Sequence, residues 1–292
     1  MPCRYNPDLS DPRPQKYRGI AGYNDYVSNI LTNYCALTSA DLSFKYMKPK
    51  AFINFAVLDH DYLDLPFTEY WIDAAQNVSD RDIARIEHRT RKQNLSKVWH
   101  QEREWHLTAS RFGDICKATD PCNRLKLCSS IFKPLKLKTP AVLNGQQYEA
   151  VARQTFQEKM GFKVKTCGLF IDSENNYLAA SPDGIIGENA IVEIKCPYKG
   201  RDRKIAADKF FPFLLEDDDG VLHLKQNHNY YMQVQGQLNV CKKEKCFFVV
   251  YTFVDIFVEE INVDRVYFCG CMLPKLELFY KKHYRKFLAE KL

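Results

Sequence analysis

Ala180-Ser181-Pro182-Asp183-Gly184 is followed by Ala190-Ile191-Val192-Glu193-Ile194-Lys195-Cys196-Pro197, and these two stretches decide the fold. The second is a short apolar run ending in alternating charge, the pattern of a strand inside a sheet. Successive side chains of a strand point to opposite faces. Glu193 and Lys195 therefore share one face, and Ile194 points into the core. Gly187-Glu188-Asn189 supplies a turn, so Gly184 to Gly187 forms the other arm of a hairpin. Two carboxylates, Asp183 and Glu193, and one ammonium, Lys195, then converge. A charged pair reaching out of an apolar, central strand needs a chemical reason, because charged side chains are mostly exposed.

Working outward, the segment from Ser79 reads as a helix, with Ser79 as N-cap and Asp82 three positions on. Thr108 caps a short helix that runs through Cys116. Lys117 to Lys138 reads as loop. Gly145 to Met160 is a helix with Tyr148, Val151, Ala152, Thr155, Phe156 and Met160 on one face and Glu149 at its edge. Strand signals cover Lys165 to Ile171, Tyr177 to Ala179, Gly184 to Gly187 and Ala190 to Lys195. A helix spans Asn227 to Val240, with Tyr231, Val234 and Leu238 as its packed stripe and Gln233 and Gln237 on an adjacent face. Strands Cys246 to Phe253 and Phe257 to Val263 follow, and a basic amphipathic helix starts beyond Pro274. Glu216 to Gly220 is an acidic turn. Helices and strands in this order give an α/β domain around a central sheet.

The chain has 292 residues, enough for one large core or two modest ones. Residues 1–75 form an N-terminal extension without a motif, and residues 76–292 carry the chemistry. Net charge is +6. Basic clusters lie at Arg85 to Arg103, Lys117 to Lys138 and Lys281 to Lys286. Charge of this kind suits a polyanion, although solvated helix faces explain it equally well. Eleven cysteines at irregular spacing contain no Cys-x-x-Cys pair. They read as reduced thiols of the cytoplasm or nucleus rather than as disulfides or a zinc site. The N-terminus has no apolar signal region, and no run reaches the roughly 20 apolar residues of a membrane span.

Two carboxylates can hold a hard divalent cation through oxygen ligands. Lysine beside such a site can position water or offset phosphate charge, so the constellation reads as a phosphodiester-cleaving centre. The chain resembles the YqaJ-like viral recombinase and phage lambda exonuclease family of the PD-(D/E)xK nuclease superfamily. The resemblance runs from Trp99 to Val240, through Leu107 to Ser110, Gly145 to Glu149, Ala180 to Gly184, Glu193 to Pro197 and Tyr230 to Gln235. It implies a restriction-endonuclease-like core with a central mixed sheet flanked by helices. It implies that Glu149, Asp183, Glu193 and the backbone carbonyl of Ile194 bind metal, Mg2+ with Mn2+ as a substitute. It implies Lys195 as the catalytic lysine and Gln233 as a supporting residue. Arg103 and Ser110 match the family's binding site for a DNA 5′-phosphate, and Arg111 adjoins them.

The expected activity is a 5′–3′ exonuclease acting on double-stranded DNA with free ends, in recombination or repair. An endonuclease of the same chemistry and a DNA-end-binding protein without catalysis are the alternatives. A trimer by resemblance only and a single-strand annealing partner belong to the same expectation. Cys269 and Cys271 do not supply the four-cysteine pattern of an iron–sulfur nuclease.

Overall fold

The computed structural model describes residues 67–119, 122–133 and 139–291, together with positions 16, 27, 30 and 31. The N-terminal extension therefore lies almost wholly outside the described residues, as do Lys136 and Lys138. The chain divides into residues 1–64 and a compact unit, Leu65–Leu292. That unit starts before residue 76 because the helix Phe67–Gln76 (α1) is tied to the chain's far end. Glu69 and Asp73 of α1 accept hydrogen bonds from Arg285 at 2.9 Å each.

Among the described residues nine strands follow in order: β1 Leu107–Thr108, β2 Phe170–Ile171, β3 Leu178–Ala180, β4 Gly184–Ile186, β5 Ala190–Lys195, β6 Leu214–Glu216, β7 Leu222–Leu224, β8 Lys245–Tyr251 and β9 Ile256–Asn262. The central sheet has order β4-β5-β8-β9. It is mixed: β5 pairs parallel with β8, and β4 and β9 are antiparallel to their neighbours. A smaller sheet, β1-β3-β2, precedes it. The expected strand from Lys165 to Ile171 is reduced to β2 and a single bridge from Lys165 to Ile185.

Strand alternation builds two cores. Val192, Ile194, Phe247 and Val249 pack on one face against Ala152 and Phe156 of the helix Pro140–Met160 (α2). Ile191, Phe248 and Val250 pack on the other against Val234 and Leu238 of the helix Asn229–Val240 (α3). The helix α2 starts earlier than residue 145 because Thr139 caps it and Pro140 begins it, a position where a missing N–H costs nothing. Val151 and Met160, expected on its packed face, are exposed. The inward stripe is instead Glu149, Ala152 and Phe156, which turns Glu149 toward the sheet.

The helix Ala109–Cys116 (α4) packs tightly across α3. A Cβ on Gly113 would come within 2.6 Å of Asn229, and one on Gly236 within 2.4 Å of Phe112, so the two helices cross where only glycine fits. Thr108 precedes α4 but its hydroxyl makes no cap; it meets Ser110 Oγ at 3.3 Å instead. Ser79 does cap its helix, accepting from Asp82 N. Lys117 to Lys138 is not all loop: Asn123 caps a helix, Arg124–Phe132, whose Cys128 and Ile131 are buried. The C-terminal helix begins at Arg265, ahead of Pro274, and continues to Ala289 through two π-helical turns, Phe268–Met272 and Tyr280–Tyr284. Such turns release the i→i−4 ladder, which lets Pro274 sit inside it. Among the described residues, no helix is long and apolar enough to cross a membrane. The nine described cysteines are free thiols.

Candidate active site

Asp183 sits where the chain leaves the small sheet at Ala180 and enters the central sheet at Gly184. This junction is fixed from outside. Gln93 Nε2 donates to the carbonyls of Pro182, at 2.8 Å, and Cys167, at 3.1 Å. Gln93 does so from φ 42°, a left-handed conformation that costs energy for any residue but glycine. Trp99 Nε1 donates to Ser181 Oγ at 2.9 Å.

Pairing of β4 with β5 ends at Gly184 and Val192, so the edge of β5 beyond it has no strand neighbour on that side. The Asp183 carboxylate fills the gap: its Oδ2 accepts from Ile194 N at 2.6 Å. In a strand, the N–H and C=O of one residue face the same edge. The Ile194 carbonyl thus points to the side Asp183 occupies.

Glu193 and Lys195 lie on the α3 face of β5. Their side chains are only 4% and 18% exposed, and Lys195 Nζ donates to Glu193 Oε1 at 2.5 Å. Two glutamines come down from α3, one turn apart. Gln233 Nε2 donates to Glu193 Oε1 at 2.6 Å, and its carbonyl oxygen accepts from Lys195 Nζ at 3.2 Å. Gln237 Nε2 donates to Glu193 Oε2 at 2.7 Å. Lys195 Nζ also lies 4.6 Å from the centre of the Tyr230 ring. Burial alone would favour the neutral amine. The Glu193 charge, then Tyr230 and Asp183, outweigh it and hold Lys195 above the usual ammonium range.

Glu149 approaches from the other face of the sheet, on α2. Its Oε1 pairs with Arg153 at 2.6 Å. Burial raises its carboxyl pKa; Arg153 opposes that, and Glu193 adds to it. Asp183 is pushed well above the carboxylate range, first by burial and then by the charges of Glu193 and Glu149. Three carboxylates against Lys195 and Arg153 leave a formal excess of one negative charge, and the oxygens are hard donors. That set would suit a hard divalent cation, and Asp183, the Ile194 carbonyl, Glu149 and Glu193 are the oxygen donors that could hold it. Among the described residues no ready-made cage of three His, Cys, Asp or Glu side chains exists. Both Glu193 oxygens accept hydrogen bonds, from Lys195, Gln233 and Gln237.

The second group predicted from sequence is adjacent. Arg103 lies on the helix Lys97–Trp105, where its guanidinium stacks 4.3 Å over Trp99 and donates to Ser110 Oγ at 3.4 Å. Burial, then the neighbouring Arg111, lowers its pKa to about 10. Among the described residues Arg103 has no carboxylate partner. Arg111 is turned elsewhere, to Ser130 Oγ at 2.7 Å and Asp114 at 3.2 Å. Trp99 links the pocket to the junction through Ser181, two positions before Asp183. Sequence reasoning missed Gln93, Trp99, Arg153 and Tyr230 as parts of this arrangement. Only Trp99 carried a signal, its i, i+4 spacing to Arg103.

The chain is similar to several known proteins. An uncharacterized protein of Acanthamoeba polyphaga mimivirus is 32% identical over 170 residues, which are 53% of this chain and 28% of that protein. The alkaline exonuclease LHK-Exo from Laribacter hongkongensis superposes with a TM-score of 0.52 at 22% identity, over 67% of this chain and 97% of that one. A SOX–DNA complex superposes with a TM-score of 0.50 at 13% identity, over 72% of each chain. The two structural likenesses show a shared fold, a mixed sheet flanked by helices. The family model of the YqaJ-like viral recombinase domain matches residues 98–244, half of the chain, and this span holds Glu149, Asp183, Glu193, Lys195, Gln233, Arg103 and Ser110 but not Gln93. The chain belongs to the YqaJ-like viral recombinase domain family.

Proposed function

We propose that the protein is a metal-dependent deoxyribonuclease acting from the 5′ end of linear double-stranded DNA. The observation that carries this reading is the buried Lys195–Glu193 pair beside Asp183 at a strand edge without a strand neighbour, where charge and hydrogen bonding converge on the Ile194 backbone carbonyl. Asp183, Glu149 and the Ile194 carbonyl would hold a divalent cation, Mg2+ or Mn2+, which when bound would supply Lewis-acid chemistry to the phosphate and to water. Lys195 is held as an ammonium, so it acts as a fixed positive charge and hydrogen-bond donor toward the phosphate rather than as a base. Glu193 and Gln233 lock its position. Gln237 in turn locks Glu193. The half-buried Arg103 guanidinium, without a carboxylate partner among the described residues, grips the terminal 5′-phosphate with Ser110 as a second contact.

The fold's likeness to an alkaline exonuclease and to a protein solved with DNA supports this reading, as does family membership. The mimivirus relative is much longer than the match, so the pathway, recombination or repair, belongs to the proposal. So do a homo-oligomer, an annealing partner and a nuclear or cytoplasmic location. The test is incubation with linear and closed circular duplexes, with Mg2+ or with chelator. Loss of linear DNA from its ends in Mg2+ alone is the expected result. Cleavage in excess chelator would refute the metal, and rapid nicking of circles would make the protein an endonuclease.

A further inference from the structure

The chain leaving β5 carries a second cationic feature that the catalytic reading does not use. Residues 199–209 contain Lys199, Arg201, Arg203, Lys204 and Lys209 against Asp202 and Asp208, a net charge of +3. This loop is built, not slack. Asn144 Nδ2 donates to the Cys196 carbonyl at 2.9 Å, Phe253 N to the Arg201 carbonyl at 2.7 Å, and Ile205 N to Asp255 Oδ2 at 3.0 Å. Gly200 seats against the buried Phe211 ring, which a Cβ would approach to 2.6 Å. Two guanidiniums are held on aromatic faces: Arg201 at 4.2 Å over Tyr198, and Arg203 at 4.0 Å over Phe210. Lys209 lies 5.3 Å from the same Phe210 ring.

The charges of this loop are largely unanswered. Arg201 meets Asp202 at 3.4 Å, but among the described residues Lys199, Arg203, Lys204 and Lys209 have no carboxylate in ion-pair range, and all four are exposed. A second basic surface is partly neutralised. It is an open cleft of about 880 Å3 that includes Arg91, Lys163, Lys165, Lys242 and Lys243. There Arg91 pairs with Glu87 at 2.8 Å, and Lys242 with Glu174 at 3.1 Å and Asp172 at 3.6 Å, while among the described residues Lys163, Lys165 and Lys243 have no carboxylate in ion-pair range. Uncompensated charge at fixed positions is what a polyanion backbone selects. The aromatic faces are already covered by cations, so the loop offers charge rather than rings to stack on. Lys199 follows Lys195 by four residues, which bounds their separation to about 14 Å even in extended chain. Duplex DNA rises 3.4 Å per base pair, so this is a reach of about four base pairs.

We infer that residues 198–210 form a backbone grip, in which Lys199, Arg203, Lys204 and Lys209 hold duplex DNA phosphates within a few base pairs of the scissile bond. The inference rests on the nuclease reading for the position of that bond, but not for binding itself. The test is binding of a fluorescent linear duplex, read by anisotropy in chelator between 50 and 200 mM salt. The Lys199→Gln/Arg203→Gln/Lys204→Gln protein is compared with wild type and with Lys163→Gln/Lys165→Gln. Each lost phosphate contact flattens the slope of log K against log salt by about 0.9, so the loop variant flattens by about 2–3. The cleft variant keeps the wild-type slope. In turnover, the loop variant raises KM while keeping kcat at saturating DNA. A folded loop variant with the wild-type slope overturns the grip, as does equal flattening in both variants. Flattening on single-stranded DNA alone overturns the duplex assignment. Should the triple variant fail to fold, Lys204→Glu carries the same comparison with a flattening of about one. A wild type that binds with this loop-dependent slope yet cleaves nothing would sink the nuclease reading and leave the grip standing. Cleavage with an unaltered slope would do the reverse.

Discussion

Replacing Lys195 by Met removes the ammonium from a pair that is almost sealed from water. Glu193, 4% exposed, stays behind with the amides of Gln233 and Gln237 as its remaining donors. Removing one partner of a buried pair costs about 3–5 kcal/mol. Two donors still face the carboxylate, so the cost falls at the lower end, about 3 kcal/mol. For a unit of this size that lowers Tm by roughly 6–12 °C. The Lys195→Met/Glu193→Gln double variant has no stranded charge and is expected within about 1 kcal/mol of wild type. The cycle closed by the single Glu193→Gln variant then shows a coupling of about 2–3 kcal/mol. Cleavage follows another rule. A fixed charge aimed at the phosphate is worth at least about 10²-fold in kcat, and neither the single nor the double variant restores it. Unfolding followed by circular dichroism in chelator, beside digestion of a linear duplex in Mg2+, measures both. A Lys195→Met protein as stable as wild type would show that the pair is not buried. Full-rate cleavage by the double variant would remove Lys195 from the mechanism.

Asp183→Asn keeps the side chain's shape and its bond to Ile194 N while deleting a charge that burial disfavours. The metal-free variant is expected to unfold at or above the wild-type temperature, yet Mg2+ should raise Tm for wild type only; equal Mg2+ stabilisation of both refutes Asp183 as a ligand. Glu149→Ala is expected to abolish most turnover, and Gln233→Ala to lower it about 10²–10³-fold, the scale of one positioned polar group, in single-turnover digestion; wild-type rates in both would detach α2 and α3 from the chemistry. Arg103→Ala should erase a preference for 5′-phosphorylated over 5′-hydroxyl ends. A charge-assisted contact of about 1.5–3 kcal/mol makes that preference about 10- to 150-fold, and equal wild-type rates on both ends would refute the pocket. His106 is buried, with Nδ1 2.6 Å from the Glu102 carbonyl and Nε2 without a partner. Burial lowers its pKa below 6.5 despite that bond. The unfolded chain therefore takes up the proton first, and stability falls as pH drops below about 6.5. His106→Gln should flatten urea-unfolding stability between pH 7.5 and 5.5, and an unchanged pH slope would refute the assignment.

Residue spacing alone placed Glu193 and Lys195 on one face and set Asp183 beside them, because strand periodicity and a hairpin turn are local rules. The same rules found α3 and its paired glutamines. They also marked β8, whose apolar run reflects burial on both faces, and the edge strand β9 beside it. Local rules failed where a partner distant in sequence decides the outcome. Val151 and Met160 look like core, but Ala152 and Phe156 are the residues that Val192 and Phe247 accept, and this rotation is what aims Glu149 at the sheet. Pro274 looks like a helix start, but a π turn ahead of it absorbs the missing hydrogen bond. Arg111 adjoins Ser110 in sequence, yet Ser130 and Asp114 draw it away, and Arg103 alone shares the pocket. The junction before Asp183 is held by Gln93 and Trp99, roughly 90 and 80 residues earlier in the chain. The Gln93 amide carries no periodicity, and the spacing of Trp99 to Arg103 does not point to Ser181. Both side chains act only once the fold has brought a carbonyl and a hydroxyl within reach, which tertiary packing decides and sequence order does not.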